Sequence, residues 1–365
     1  MLILYYDING LNIIKDNQIF NFSYFNGSYI NLYDNNLIFN RLIPLKNESE
    51  IRNDNEIFKL NKNYNILKIN LDFPYIKSAI FRNFSYYNFP KYYSPTFDYK
   101  TKEKENQYYL GVYQTTKSIA TGEDTPMINF VVFLSDKNTG EIVWYWEMYQ
   151  YFIDNNLSLE WEHRTNNPII YSLSRIGKNN LGLDENDIMF TISKINQILF
   201  VRPFEGIVDK IINISDIQGV NPSSFVDAHI IPEGLEGEGN LLFFNNNKKS
   251  LNPSEIIEYD LVNNKIIFEF GHDKMMNDDL GSSVQKLPNG NYFVYAYHQN
   301  RLLEISPSKE IVNEIILENE NENINKKEDF YRLRNCLEAR QIPDEWASNF
   351  IENYSLIESV IKNYK

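Results

Sequence analysis

The sequence predicts an all-β fold, a β-propeller. Three observations carry that prediction: short apolar runs broken by Asn, Asp, Gly and Pro from end to end, a composition rich in Tyr, Phe and Ile, and a hairpin that recurs along the chain. The aromatic content is 15%, with 26 Tyr and 24 Phe, and these residues suit half-buried strands better than helices. The recurring unit is a strand, a polar turn and a second strand. Val131–Asp136 precedes Gly140–Trp146, Ile198–Val201 precedes Gly206–Ile211, Ile256–Asp260 precedes Asn264–Phe270, and Leu302–Ile305 precedes Lys309–Ile315. Anchored on Ile142, Ile207, Ile266 and Ile311, the units lie 65, 59 and 45 residues apart, the interval of four-stranded propeller blades. A β-sandwich with irregular loops is the competing architecture.

A polar turn and a further strand precede several hairpins, as in Asp187–Ile192, Gly239–Phe244 and Pro288–Val294. These read as inner strands facing a central channel, whose ends are where a site would form. The first ~95 residues are less regular. They alternate strand-like runs (Ile19–Tyr24, Tyr29–Tyr33, Tyr64–Leu71) with Asn-rich turns and make a divergent blade or a small β-domain over 1–95. The regular blades occupy 96–330, and 331–365 forms a closing segment with a short helix. Helical spacing is sustained only near Ser254–Glu258 and over Asp344–Lys365, where Trp346, Phe350, Ile351, Tyr354, Ile357, Val360 and Ile361 recur on one face. Asn319–Glu328 reads as an exposed loop.

The formal net charge is −14, which argues against nucleic acid as a partner. Cys336 is the one cysteine, so no internal disulfide forms. No run of 18 apolar residues is present, so no transmembrane helix is expected. The opening Met1–Asp7 lacks the basic and apolar regions of an export signal, so the chain as written reads as cytoplasmic; a mis-called start would change that. The four histidines show no metal-ligand spacing, so neither a zinc site nor a cofactor is expected. The Gly234–Gly239 segment lacks the Lys-Ser/Thr ending of a phosphate loop and leads into a strand.

Six elements in order, over about Gly111–Trp346, resemble the bacterial arylsulfotransferase family. They are Thr139–Trp146, Glu160-Trp-Glu-His163, Ile188–Gln197, Asp227-Ala-His-Ile-Ile-Pro232, Gly281–Asn291 with Leu302–Pro307, and Tyr331–Arg334 with Ile342–Trp346. The resemblance implies a six-bladed propeller. It also implies sulfuryl transfer from an aryl sulfate to a phenol through a sulfated histidine, with cationic donors around the transferring oxygens.

By the same resemblance His163 and His229 are the catalytic candidates. Lys194 takes the place of the family arginine, keeping the charge without the bidentate fork. Thr165, Asn166 and Asp227 complete the candidate anion-binding set. The family's nucleophilic position falls on Val226, which forms no sulfuryl adduct, and no histidine precedes His163. His229 becomes a substitute nucleophile only if a shift in backbone register turns it toward the channel.

His272 and His298 read as turn residues, Arg175 as surface charge, Trp144 and Trp146 as packing residues sharing one face, and Cys336 as an inert thiol. Two further functions stand beside transfer: a catalytically degenerate propeller that binds an aromatic or anionic ligand or a protein partner, and a metal-dependent propeller hydrolase using channel Asp, Glu and Asn.

Overall fold

The computed structural model describes residues 2–7, 10–15, 18–22, 30–33, 36–41, 56–60, 66–69, 80–81, 99–101, 104–117, 127–136, 142–157, 170–192, 195–217, 225–245, 254–271, 275, 282–296, 299, 301–317 and 339–341. Within them the chain is a succession of antiparallel meanders. β1 (Leu2–Asp7), β2 (Gly10–Lys15) and β3 (Gln18–Phe22) form the first sheet, and β4 (Ile30–Tyr33), β5 (Asn36–Arg41), β6 (Glu56–Leu60) and β7 (Ile66–Ile69) the second. The third runs β8 (Ile80–Phe81), β10 (Lys104–Lys117), β11 (Met127–Asp136), β12 (Ile142–Glu147), with β9 (Tyr99–Thr101) pairing beside β8 on β10.

After helix α1 (Met148–Asp154) the fourth sheet holds β13 (Ile170–Arg175), β14 (Ile188–Ile192), β15 (Gln197–Arg202) and β16 (Ile207–Asn213). The fifth holds β17 (Phe225–Ile230), β18 (Leu241–Asn245), β19 (Glu255–Asp260) and β20 (Lys265–Gly271). The sixth holds β21 (Ser283–Lys286), β22 (Tyr292–Ala296), β23 (Arg301–Ile305) and β24 (Ile311–Ile316). Finally β25 (Ala339–Gln341) pairs antiparallel with β1. The arrangement is propeller-like: β13 lies beside β17, β17 beside β21 and β21 beside β25, so the first strands of successive sheets face one another.

The four hairpins seen in the sequence are the third and fourth strands of sheets three to six. Each carries the same irregularity, one extra residue on the outer strand: Val143, Asp209, Ile267 and Val312. The turns between them use backbone with positive φ at Phe204 and Gly206, Asn264, and Lys309. The strands anticipated as inner, β14, β18 and β22, are second in their sheets, after β13, β17 and β21, which pack against one another across the sheets. Ser254–Glu258, which offered helical spacing, enters strand β19, because Ile256 and Ile257 bury on opposite faces of a sheet covered on both sides. The helix α1 follows Trp146 without a sequence cap; Met148, Tyr151 and Phe152 hold it against the third and fourth sheets. The closing helix anticipated over Asp344–Lys365 lies outside the described residues.

Apolar contact between consecutive sheets makes the core. Phe130, Val132 and Leu134 of β11 meet Phe190 and Leu199 of the next sheet, Phe200 and Met189 meet Phe243 and Tyr259, and Phe244 and Ile256 meet Val294 and Leu303. Trp146 packs on Phe190 with ring centroids 4.6 Å apart, and Trp144 is buried in the same cluster. Each such side chain contributes roughly 1.5–3 kcal/mol by leaving water.

A charged group is buried in the seam between the fifth and sixth sheets. Glu258 accepts from the Tyr292 hydroxyl at 2.7 Å and from Asn240 Nδ2 at 2.7 Å, and Lys286 Nζ lies 3.4 Å from it and 3.8 Å above the Tyr292 ring. Phe268 stacks on the other face of Tyr292 at 4.1 Å. Burial, then Glu258, push the Tyr292 phenol above its ordinary range, so it stays a donor. Gly237 covers this cluster at φ +80°, and a Cβ there would run into the Glu258 carboxylate. Gly182 has φ +72° with open space around it. Gly182→Ala is therefore expected to cost about 1–2 kcal/mol from left-handed strain alone. Gly237→Ala is expected to cost clearly more and to lower Tm further, because it also displaces a buried carboxylate; equal losses in thermal melts would refute this account.

Candidate functional site

β17 carries the residues that the resemblance points to. All six of its side chains are buried. Phe225 packs edge-on against Phe243 with centroids 5.3 Å apart, and Val226 lies opposite Phe244. Between Val226 and His229 the register with β18 shifts by one residue. Asp227 takes up the shift with φ +57°, a left-handed conformation that Asp tolerates better than most residues.

The bulge leaves three hydrogen-bonded groups. The Asp227 carboxylate accepts the backbone N–H of Val284, on β21, at 2.7 Å. The N–H of Ala228 donates to Ser172 Oγ, on β13, at 2.8 Å. His229 Nδ1 lies 2.8 Å from the carbonyl oxygen of Asp227. A carbonyl only accepts, so Nδ1 carries a proton and donates it to this contact. His229 is 3% exposed and Asp227 1%. The same kind of bridge joins the next pair of first strands: the Gln341 N–H donates to Gln285 Oε1 at 3.0 Å. Side chains thus satisfy N–H groups on strands that have no sheet partner on that edge.

The turn that follows β17 is built from Gly234, Gly237 and Gly239, all at positive φ. It docks on the β13–β14 loop, where Lys178 pairs with Glu238 at 2.8 Å and with Glu233 at 3.2 Å. This segment is a docking turn between neighbouring loops.

Of the candidate residues, Asp227 and His229 fall within the described structure and are brought together by the bulge. His163, Thr165, Asn166 and Lys194 lie outside the described residues, as do His272, His298 and Cys336. Arg175 closes β13 and is half-buried opposite Ile188. The sequence reading missed the Glu258–Lys286–Tyr292 cluster. Its only signal was a charged residue set inside apolar strand runs, Ile-Ile-Glu258-Tyr and Val-Gln-Lys286-Leu. Among the described residues no three His, Cys, Asp or Glu side chains converge as metal ligands, and no helix is long and apolar enough to cross a membrane.

No family model and no curated protein matches the chain. Solved structures are similar at low identity. AztD from Citrobacter koseri is 10% identical over 94% of this chain and 98% of that one, with a TM-score of 0.42. A streptogramin B lyase is 14% identical over 88% and 75%, with a TM-score of 0.38. A protein of unknown function from Bacteroides caccae is 18% identical with a TM-score of 0.33; the match covers 52% of this chain and spans about half, 54%, of that one. Likenesses at this level carry no functional argument.

Removing the carboxylate of Asp227 strands the buried Val284 N–H. Asp227→Ala is expected to cost about 2–4 kcal/mol, combining an unsatisfied buried donor with a left-handed alanine. Asp227→Asn, which keeps an acceptor oxygen and tolerates the backbone, should cost markedly less. Chemical denaturation of both variants checks the order; equal losses would refute the role given to the carboxylate.

Proposed function

We propose that the chain is a six-bladed β-propeller of arylsulfotransferase ancestry, closed by the pairing of β25 with β1, that binds an aromatic or anionic ligand at its channel without forming a sulfuryl-histidine intermediate. The observation that carries this reading is Val226. It stands where the resemblance places the nucleophile, and it is a buried β-branched residue packed opposite Phe244. The neighbouring groups support the same view. The Asp227 carboxylate is committed to Val284, and the His229 ring is committed through Nδ1 to its own strand. Asp227 serves the join between sheets, the His229 contact stays within β17, and a sulfonate gains no cationic donor from the carboxylate.

A second reading, sulfuryl transfer from an aryl sulfate to a phenol, is favoured by one observation. The register shift at Asp227 is one half of the condition under which His229 becomes the substitute nucleophile, the other half being that its ring turns toward the channel. In that cycle Nε2 would bond to sulfur as the S–O bond to the phenolate breaks, and a second phenol would take the sulfuryl group as its own proton leaves.

Intact-protein mass spectrometry after incubation with 4-nitrophenyl sulfate, with nitrophenol release and tryptophan fluorescence followed in parallel, separates the two. The expected result is saturable quenching with neither adduct nor nitrophenol. An adduct discharged by phenol would establish the transferase and overturn the binding reading. No quenching and no adduct from folded protein would refute both.

A further inference from the structure

The position just before the second strand of each of the last three sheets is equivalent. Asp187, Asn240 and Asn291 each accept a backbone N–H through their carbonyl, from Ile176, Ile231 and Leu287, at 2.8 Å in all three cases. In the fifth and sixth sheets the side chain there is a donor to a carboxylate. Asn240 Nδ2 donates to Glu258 and Asn291 Nδ2 to Glu304, both at 2.7 Å. Those glutamates sit on the third strand, one residue before the partner of the second strand's first residue.

In the fourth sheet that third-strand position is Phe200. The carboxylate is supplied from elsewhere: Asp209, the extra residue of the outer strand, where the fifth and sixth sheets carry the exposed Ile267 and Val312. Asp209 is fixed by Arg202, whose NH2 lies 2.8 Å from Oδ2. The donor position is then held by an aspartate. Asp187 is 1% exposed and no donor bonds either of its carboxyl oxygens. Arg202 Nε is 3.9 Å away, beyond hydrogen-bond reach.

We propose that Asp187 is retained as the protonated acid and donates to the Asp209 carboxylate, so that the fourth sheet carries a proton-operated latch where its neighbours carry a permanent amide. An ionised carboxylate in this place could only accept, beside a second carboxylate, inside the protein. A carboxylic acid reproduces what Asn240 and Asn291 do. The charges facing the pair are Asp184 from the β13–β14 loop, Arg202 from β15, Glu205 from the following turn, and Asp209 itself from β16. Burial first, and Asp209 second, raise the Asp187 carboxyl to about 7, against a smaller lowering by Arg202.

The consequence is a pH-dependent sheet. Between the ordinary carboxyl range and about pH 7 the folded chain binds a proton that the unfolded chain has lost, so this latch weakens as pH rises and is open above that window. The experiment is a comparison of Tm across pH for the intact chain and for Asp187→Asn, whose amide is a donor at every pH. The variant is expected to match the parent near pH 4, to gain on it steadily up to about pH 7, and to stay several degrees above it beyond that. Asp209→Asn, which removes the acceptor charge, should shift the parent's pH-dependent fall to lower pH. A difference between Asp187→Asn and parent that is flat with pH would overturn the proposal. So would a variant less stable than the parent at pH 8, or one that fails to fold.

Discussion

The first strands of the last three sheets each have an edge that faces another sheet and not another strand of its own, and the N–H groups on that edge must still be satisfied. That constraint organises the second half of the molecule. Ser172 of the fourth sheet accepts from β17 of the fifth, Asp227 of the fifth accepts from β21 of the sixth, and Gln285 of the sixth accepts from β25. Each bridge includes an N–H on one sheet donating to a side-chain oxygen on the sheet before it, and Gln285 Nε2 also donates back to the Gln341 carbonyl at 3.4 Å. Apolar contact alone would let neighbouring sheets slide; a short list of buried polar contacts fixes their register, at a cost if any is broken.

The bulge at Asp227 follows from the same constraint. A regular strand would present alternate side chains to the two seams on either side of β17. The extra residue lets consecutive positions serve both: the Ala228 N–H reaches back to Ser172 while the Asp227 carboxylate reaches forward to Val284. A non-glycine residue in left-handed backbone persists where its surroundings compensate for it, and here two hydrogen bonds and the His229 contact do so. Two of the β17 residues that resemble a catalytic motif, Asp227 and Ala228, are therefore residues that join sheets.

The repeat is conserved in backbone more than in chemistry. Four hairpins share one bulge, and three sheets share the same polar position before the second strand, yet that position holds amide, amide and acid. Where a glutamate is absent from the third strand, an aspartate on the fourth takes its place. The backbone hydrogen bond at this position is the same in all three sheets while the side chains differ.

By itself the sequence determined the local elements of this chain. The hairpins around Ile142, Ile207, Ile266 and Ile311 were legible because a polar turn between two β-branched runs is a signal confined to a few residues. The strand before three of the hairpins was legible too, at Asp187–Ile192, Gly239–Phe244 and Pro288–Val294. Only the tertiary structure decided which strand is innermost, since β13 and β17 read no differently from β14 and β18 until the sheets are assembled. It also decided that Asp227 bridges two sheets and that Glu258, Lys286 and Tyr292 share one seam. It placed Asp187 and Asp209 beside the same Arg202 as well, although they are 22 residues apart in the chain. The physical reason is the same in each case. Secondary structure follows from side-chain period and turn chemistry over neighbouring residues, whereas a buried polar atom is defined by a partner that the chain brings to it from another strand or another sheet.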